Sequence, residues 1–239
     1  MSGYLNSLVF GIYPYVALAV LILGSIIRYD REPYTWRSGS SQLLRRKQLI
    51  WGSVLFHVGV LVIFGGHLVG LLTPIRVFEA LGVSHGAKQL LAVIAGGLAG
   101  LMAIVGATLL VHRRLFDARV RATSSATDTL IIILLWMQLF LGLSTIPASL
   151  SHLDGHEMVK FMNWAQGIFT FNPEAASYVA DAAAVFKLHL FLGLTILLLF
   201  PFTRLVHMLS APVRYIWRPG YQVVRQRSRR TVGSRIAAE

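Results

Sequence analysis

Residues 56–74 read FHVGVLVIFGGHLVGLLTP, an apolar run that holds His57 and His67 ten residues apart. A helix needs about 20 predominantly apolar residues to cross a bilayer, and this run with its uncharged flanks is long enough. Backbone polar groups in lipid must be satisfied within the segment, so the run predicts an α-helix that spans a membrane. Imidazoles are rare in such spans and mark functional sites, so the same stretch predicts where the chemistry lies.

Four further segments share this apolar character. Of the 239 residues, 55% are hydrophobic and 13% are charged, which is about half the charged fraction of a typical soluble protein. Uncharged runs cover residues 1–27, 48–75, 89–111 and 129–153, and a fifth apolar segment covers about 182–210. Only Lys187 and Arg204 interrupt the fifth segment, near its two ends, from where long cationic side chains reach the interface. The sequence therefore predicts an all-α integral membrane protein with five transmembrane helices, four of which form a core.

The cations predict how the helices are oriented. Of the 22 Lys and Arg residues, 18 lie between the first and second segments, between the third and fourth, or at and beyond the end of the fifth. The other four are Arg76, Lys88, Lys160 and Lys187. Because cytoplasmic loops carry the excess of Lys and Arg, the N-terminus is predicted outside and the C-terminus in the cytoplasm. The net charge of +12 is then mostly a topology signal, and we expect the basic tail to face anionic lipid or a partner subunit, with no nucleic-acid role.

The longest external connection, about residues 148–181, predicts a short helix at the membrane surface. Apolar side chains recur within it at spacings of three and four residues, with Trp164 among them. That periodicity is typical of an amphipathic helix that lies in the interface. The recurring residues are Met158, Phe161, Met162, Ala165 and Phe169.

Four of the eight histidines lie inside predicted spans: His57 and His67 in the second, His189 and His207 in the fifth. A single intramembrane histidine is commonly explained by a hydrogen bond between helices. Four on two antiparallel helices suggest facing pairs, with His57 and His207 toward the cytoplasm and His67 and His189 toward the outside. Spacings of 10 and 18 residues correspond to about 15 Å and 27 Å along a helix, and a kink at Pro201 would absorb part of the difference. Two such pairs suit two bis-histidine haems, whose iron accepts neutral imidazole nitrogen.

Glycines flank these histidines. They are Gly59, Gly65, Gly66 and Gly70 in the second span and Gly193 in the fifth. A missing side chain lets either a flat ring or another helix approach the backbone, and the sequence leaves both interpretations open. The chain has no cysteine, so it can neither hold haem covalently through CxxCH nor ligate a metal through thiolate.

Short motifs along the chain resemble those of one family, the γ subunit or membrane cytochrome b of respiratory nitrate reductase. The resemblance runs from GIYPY at 11–15 to about Arg218 and includes both basic loops and all four histidines in order. The motifs are RYD at 28–30, YTWRSGSSQ at 34–42, FHVG at 56–59, GHLVGLLTP at 66–74, RRLF at 113–116, RVRAT at 119–123, LHLFLG at 188–193 and FPFTRLVH at 200–207.

The resemblance implies a five-helix di-haem subunit of the bacterial cytoplasmic (inner) membrane that oxidises quinol near the outer face. It would pass electrons through two haem b groups to a cytoplasmic Fe–S subunit and then to a molybdenum-containing subunit, where nitrate is reduced. The family's ligand pairs fall on His57 with His207 and on His67 with His189. Lys88 and Gly66 match positions associated with the quinol site. From the residues alone, Lys88 fits either a hydrogen bond to a quinol oxygen or a cation that anchors at the interface.

Other functions stay open at this stage. They are a di-haem anchor for a different cytoplasmic reductase, a purely structural membrane anchor, and an ion transporter, which would be expected to place acids within its spans. The paired histidines argue against the structural anchor. We also expect Arg113, Arg114 and Arg119 to belong to a docking surface for the cytoplasmic subunits. The predicted domains are a di-haem membrane domain over residues 1–218 and a basic cytoplasmic tail over residues 219–239.

Overall fold

The structure is a computed structural model and describes residues 3–36, 41, 43–151, 154–210 and 217. Every regular element in that part of the chain is helical. The main helices are α1 (Gly3–Arg31), α2 (Arg46–Leu72), α3 (His85–Phe116), α4 (Ala126–Leu150), α5 (His156–Phe169) and α6 (Ala184–Phe202). All of these except α5 are long and apolar enough to cross a membrane. The predicted all-α fold with five membrane-spanning helices is confirmed.

The five long helices pack side by side in the order α2, α3, α4, α6, α1. Helices α2 and α3 approach each other closely where Gly59 of α2 faces Ala99 and Ala103 of α3. A Cβ atom on Gly59 would lie 2.6 Å from the carbonyl oxygen of Ala99, closer than real side chains come. This glycine therefore serves helix packing, which is a common role for small residues in membranes.

The short helix predicted between the fourth and fifth spans is present as α5, and it packs against protein. Met162, Trp164 and Ala165 are buried on its inner face. The indole Nε1 of Trp164 donates a hydrogen bond of 2.9 Å to the carbonyl oxygen of Phe10 in α1. That carbonyl lies in a π-helical turn, Leu8–Ile12, just before Pro14, which has no N–H to offer one turn further on. The tryptophan thus satisfies a carbonyl that the proline leaves without a helical partner.

The fifth span differs from the prediction, because its helix does not continue to residue 210. The α-helical part ends at Leu199, and Phe200–Phe202 form a 3-10 turn. Thr203 is extended, with φ −121° and ψ 178°, and a separate 3-10 segment, Arg204–Ser210, follows. Pro201 explains the break, since it lacks an N–H and disfavours helical conformation in the residue before it. The assumption that His189 and His207 share one face of a continuous helix was therefore wrong.

Polar contacts tie the first loop to the end of α3. Arg113 is buried and donates hydrogen bonds of 2.6 and 2.7 Å to the carbonyl oxygens of Ser41 and Leu44. Arg114 donates to Ser124 at 2.7 Å and lies 3.7 Å from Asp128. The expectation that these two arginines form a docking surface is thereby corrected: burial and internal partners turn both side chains inward. Arg119 is exposed.

Backbone contacts group Met1–Leu209 as one compact unit, which contains all four histidines of interest, and Ser210–Glu239 as another. In the second unit the structure describes Ser210 and Trp217. The predicted boundary between residues 218 and 219 lies outside the described residues and stays a prediction.

Candidate functional site

The structure brings the four intramembrane histidines together as two facing pairs. The ring centroids of His57 and His207 are 6.3 Å apart, and those of His67 and His189 are 6.2 Å apart. These are the partners that antiparallel helices predict. The break at Thr203 explains how pairs with unequal spacings along the chain can face each other, because His207 belongs to a segment that is no longer part of α6.

Backbone carbonyls hold one ring nitrogen of three of these histidines. His57 Nδ1 lies 2.7 Å from the carbonyl oxygen of Ser53, and His67 Nδ1 lies 2.8 Å from that of Ile63. His207 Nδ1 makes the equivalent contact with the carbonyl of Arg204. A carbonyl can only accept, so Nδ1 carries the proton in each ring, and Nε2 of the neutral imidazole keeps a lone pair. That is the nitrogen available to ligate a metal.

His189 is held differently. Its Nδ1 is buried and has no hydrogen-bond partner among the described residues. Gln138 of α4 approaches the other side, with its Nε2 3.5 Å from His189 Nε2 and 3.2 Å from the His189 carbonyl oxygen. A Cβ on Gly142 would lie 3.0 Å from the ring, so this glycine gives the imidazole its space. Buried polar atoms normally have partners, and the protein alone leaves this imidazole incompletely satisfied.

The glycines near the histidines separate into two groups. Gly59 serves helix packing, as described above. A Cβ at Gly65, Gly66 or Gly70 would meet nothing within 4 Å, so none of these three glycines is required for close helix packing. Gly193 borders Gln138, whose Nε2 would lie 3.1 Å from a Cβ there. Gly59 therefore supports the packing of α2 on α3, and the three glycines nearest His67 border open space.

The residues present fit a haem at each pair. Two imidazole nitrogens on one metal ion lie about 2 Å from it; with each ring centre about 1 Å further out, the centroids would be about 6 Å apart. The observed separations of 6.3 and 6.2 Å agree with this value. Neutral imidazole is also the donor that haem iron accepts. Among the described residues, no group of three or more His, Cys, Asp or Glu side chains could hold a metal ion, so each candidate is a two-ligand site.

Lys88 lies close to the His67 pair and points inward. Its side chain is buried, and Nζ donates hydrogen bonds of 2.8 Å to the carbonyl oxygen of Gly70 and 2.7 Å to the sulfur of Met162. Nζ also lies 4.4 Å from the centre of the Phe78 ring. Gly70 follows His67 by one helical turn. An interfacial anchor would extend toward water, and Lys88 does not do so.

Sequence reasoning missed three residues that shape this region. Gln138 contacts His189, Arg28 binds carbonyl oxygens at the break after α6, and Asp128 lies 3.6 Å from Arg204. A lone amide in an otherwise apolar span was a usable signal for Gln138. Arg28 carried no such signal, because a cation after the first span is what the topology of any membrane protein predicts.

Fold and site together define a class: a five-helix membrane protein in which two helical segments present paired imidazoles to each other. Comparison with known proteins gives the family. The family model described as nitrate reductase gamma subunit matches residues 6–227. The chain belongs to that family.

Individual relatives agree over nearly their whole length. The chain is 50% identical over 224 residues to the respiratory nitrate reductase 1 gamma chain of Escherichia coli (strain K12), covering 94% of this chain and 99% of that protein. It is 40% identical over 231 residues to the nitrate reductase gamma chain of Bacillus subtilis (strain 168), covering 95% of this chain and 100% of that one. The family assignment therefore applies to the whole membrane region.

Proposed function

We propose that this chain is the quinol-oxidising, di-haem membrane subunit of a respiratory nitrate reductase in the bacterial cytoplasmic membrane. It takes electrons from quinol near the outer face and delivers them to a cytoplasmic Fe–S subunit and a molybdenum-containing subunit that reduces nitrate. The observation that supports this most directly is the presence of two facing imidazole pairs at haem-compatible separation. Family membership supports the choice of nitrate reductase as the complex.

The histidines would hold the two haem b groups. His57 and His207 form the cytoplasmic-side site, and His67 and His189 form the outer-side site, if the chain is oriented as its cations predict. Haem bound at these sites supplies one-electron redox chemistry. The carbonyls bonded to Nδ1 of His57, His67 and His207 fix each ring and raise the basicity of its Nε2, as partners of metal-ligating histidines commonly do.

Lys88 would bind quinol beside the outer-side pair. An ammonium group has three N–H donors, and Gly70 and Met162 accept two of them. Within the described part of the chain no carboxylate forms an ion pair with Lys88. The third N–H is therefore suited to a quinol oxygen, and the positive charge would stabilise that oxygen as its proton leaves. Gly66, next to His67 in the chain, borders open space.

Replacement of the histidines tests the proposal. His57→Ala and His207→Ala should each remove the cytoplasmic-side haem and leave the outer-side haem, whereas His67→Ala and His189→Ala should do the reverse. Redox-titrated visible spectra of the purified protein distinguish the two haems. His112→Ala is the matched control, because His112 contacts Gln48 and Phe116 and belongs to neither pair. A variant series in which both haems survive every replacement would overturn the proposal.

A further inference from the structure

The segment that carries His207 is not held in place by helix continuity. Thr203 is extended between the last turn of α6 and the 3-10 segment Arg204–Ser210. An interruption of the helix like this one removes helical hydrogen bonds and leaves backbone carbonyl groups that need other hydrogen-bond donors. In a membrane protein such groups must find protein partners or water.

Arg28 of α1 supplies those partners. Its Nη1 donates to the carbonyl oxygens of Pro201 and Thr203, at 2.7 and 2.9 Å. Its Nε and Nη2 donate to the side chain and the carbonyl of Thr35, at 3.2 and 2.9 Å. One guanidinium thus donates hydrogen bonds to residues on both sides of the helix break and to the loop after α1; these contacts together are called the clasp below. A planar fork of five donors can do this, and a lysine ammonium cannot reproduce it.

The shape of α1 fits the same break. Gly24 lies one helical turn before Arg28, and a Cβ there would lie 2.8 Å from Cγ of Pro201. The glycine allows α1 to approach the proline closely, which brings Arg28 within reach of the two carbonyls. The contact between α1 and the end of α6 is therefore built around the break itself.

Other contacts hold the opposite sides of the segment. Leu205 and Val206 are buried in a cluster with Ile131 and Ile196. Arg204 lies 3.6 Å from Asp128 at the start of α4. With these side chains held inward, His207 remains free to face His57.

We propose that Arg28 is the positioning residue for His207: by binding the carbonyls of Pro201 and Thr203, it sets the place and angle at which this imidazole meets its partner. The inference rests on the proposed function, since it concerns how a haem ligand is presented. Arg28 itself would not touch the haem. Its effect is confined to the His57–His207 site, because none of the contacts of Arg28 described above involves the segment around His67 and His189.

The test replaces Arg28 by alanine and by lysine in the full-length chain and titrates the two haems separately. Partners that orient metal ligands typically contribute about 10–100-fold to affinity, so we expect both variants to lose cytoplasmic-side haem about tenfold more readily. The outer-side haem should keep its midpoint potential and occupancy. Arg31→Ala is the matched control, because Arg31 is an exposed cation three residues further along the same helix, and within the described residues its ion pair is with Asp30.

The lysine variant separates positioning from simple electrostatics. Arg28→Lys keeps the charge and loses the fork, so a wild-type potential and occupancy in this variant would overturn the proposal. Equal loss of both haems in either variant would also overturn it, because the effect would then be global.

A second readout needs no haem. In haem-free protein, amide hydrogen exchange across residues 203–207 should be faster in both Arg28 variants than in Arg31→Ala, and unchanged exchange would count against the clasp. Failure of the proposed function has a different signature, since His207→Ala would then retain both haems whatever the Arg28 variants do.

Discussion

Single residues in this chain are placed by the hydrogen bond that each makes inside an apolar environment. His57 and His67 each direct Nδ1 to the carbonyl four residues earlier, and the lone pair on Nε2 remains available. Lys88 is buried beside the second of these histidines and uses a carbonyl and a thioether as acceptors. An ammonium held this way, with no carboxylate paired to it among the described residues, keeps one N–H group for which those residues supply no oxygen, nitrogen or sulfur acceptor.

Lys88→Ala should impair quinol oxidation without loss of haem. Removal of one hydrogen bond to a charged group costs about 1.5–3 kcal/mol, which corresponds to a decrease of about 10- to 100-fold in the rate of haem reduction by quinol. Stopped-flow spectroscopy of haem reduction measures it, alongside nitrate reduction driven by an artificial donor to the cytoplasmic subunits, which should be unaffected. Arg76→Ala, an exposed cation on the neighbouring short helix Ile75–Ala80, is the control. Normal quinol kinetics in Lys88→Ala would return this lysine to a structural role.

The sequence indicated which histidines face each other, but it did not indicate which residues hold the surrounding backbone in place. The histidine pairing followed from two apolar segments and an antiparallel arrangement, both of which are local or topological features. Arg28 and Arg113 were read as cations of the cytoplasmic loops, yet the structure uses both to satisfy backbone carbonyls. Such roles depend on which carbonyl a distant segment leaves unpaired, and a sequence pattern does not record that.

Helices in this fold meet at small residues, and the consequences can be measured. Gly59→Ala should destabilise the protein, because its Cβ would lie 2.6 Å from a backbone oxygen of α3 that cannot move easily. Overpacking of this kind costs about 1–3 kcal/mol, observable as a lower thermal unfolding temperature in detergent. Gly96→Ala is the matched control, because Gly96 lies in α3 and a Cβ there would meet nothing within 4 Å. Equal stability of the two variants would contradict the packing described for α2 and α3.

The ion pair between Lys160 of α5 and Asp181, just before α6, should depend on pH; it is called the tether below. Lys160 lies 2.8 Å from Asp181, and this hydrogen bond is the main reason that the pKa of Asp181 falls below its ordinary value of 3.8 and that of Lys160 rises to about 12. Asp181, whose pKa is lowered in the folded protein, contributes stability at pH values above its unfolded pKa. This contribution is lost as the pH falls through its folded pKa. Lys160, whose pKa is raised, contributes fully below pH 10.5, and this contribution is lost as the pH rises toward 12.

Protection from amide exchange around residues 175–183, measured relative to the intrinsic exchange rate at each pH, should therefore decrease below about pH 4, where the unfolded carboxyl titrates. Lys160→Met should remove most of this pH dependence. Glu174→Gln, an exposed acid on the same connection, should leave it intact. An identical acid response in Lys160→Met and the parent chain would show that the tether is not formed.

At the element level, the five spans were predictable because hydropathy dominates in a bilayer, and the observed helices agree with the predicted runs to within a few residues at most ends. The exception is α6, where Pro201 predicted a kink and the structure has a break. Whether a proline bends or ends a helix depends on which group donates hydrogen bonds to the carbonyl oxygens that the proline leaves unpaired. Here Arg28 of α1 does so, and that partner lies 173 residues away in sequence.

At the scale of the whole molecule, the two imidazole pairs lie at different levels along α2, because His57 and His67 are ten residues, or about 15 Å, apart. Under the proposed function, turnover should therefore be electrogenic. If quinol is oxidised at the outer side, its protons are released there and its two electrons move inward. Moving one charge fully across the membrane against 100 mV costs about 2.3 kcal/mol, so two cost about 4.6 kcal/mol. A membrane potential should slow quinol-to-nitrate turnover in sealed vesicles, and an uncoupler should relieve it. External pH followed with a potential-sensitive dye measures this, and proton release on the cytoplasmic side would contradict the predicted orientation.

In the function proposed above, haem held by the two histidine pairs would carry electrons from quinol toward nitrate. The most direct measurement is the visible spectrum of b-type haem in native membranes that contain the whole complex, first reduced with quinol and then given nitrate. We predict that quinol reduces both haems, that nitrate rapidly reoxidises them, and that His207→Ala membranes show one haem and no nitrate-linked reoxidation. Haem that quinol cannot reduce, or that stays reduced when nitrate is added, would contradict the account.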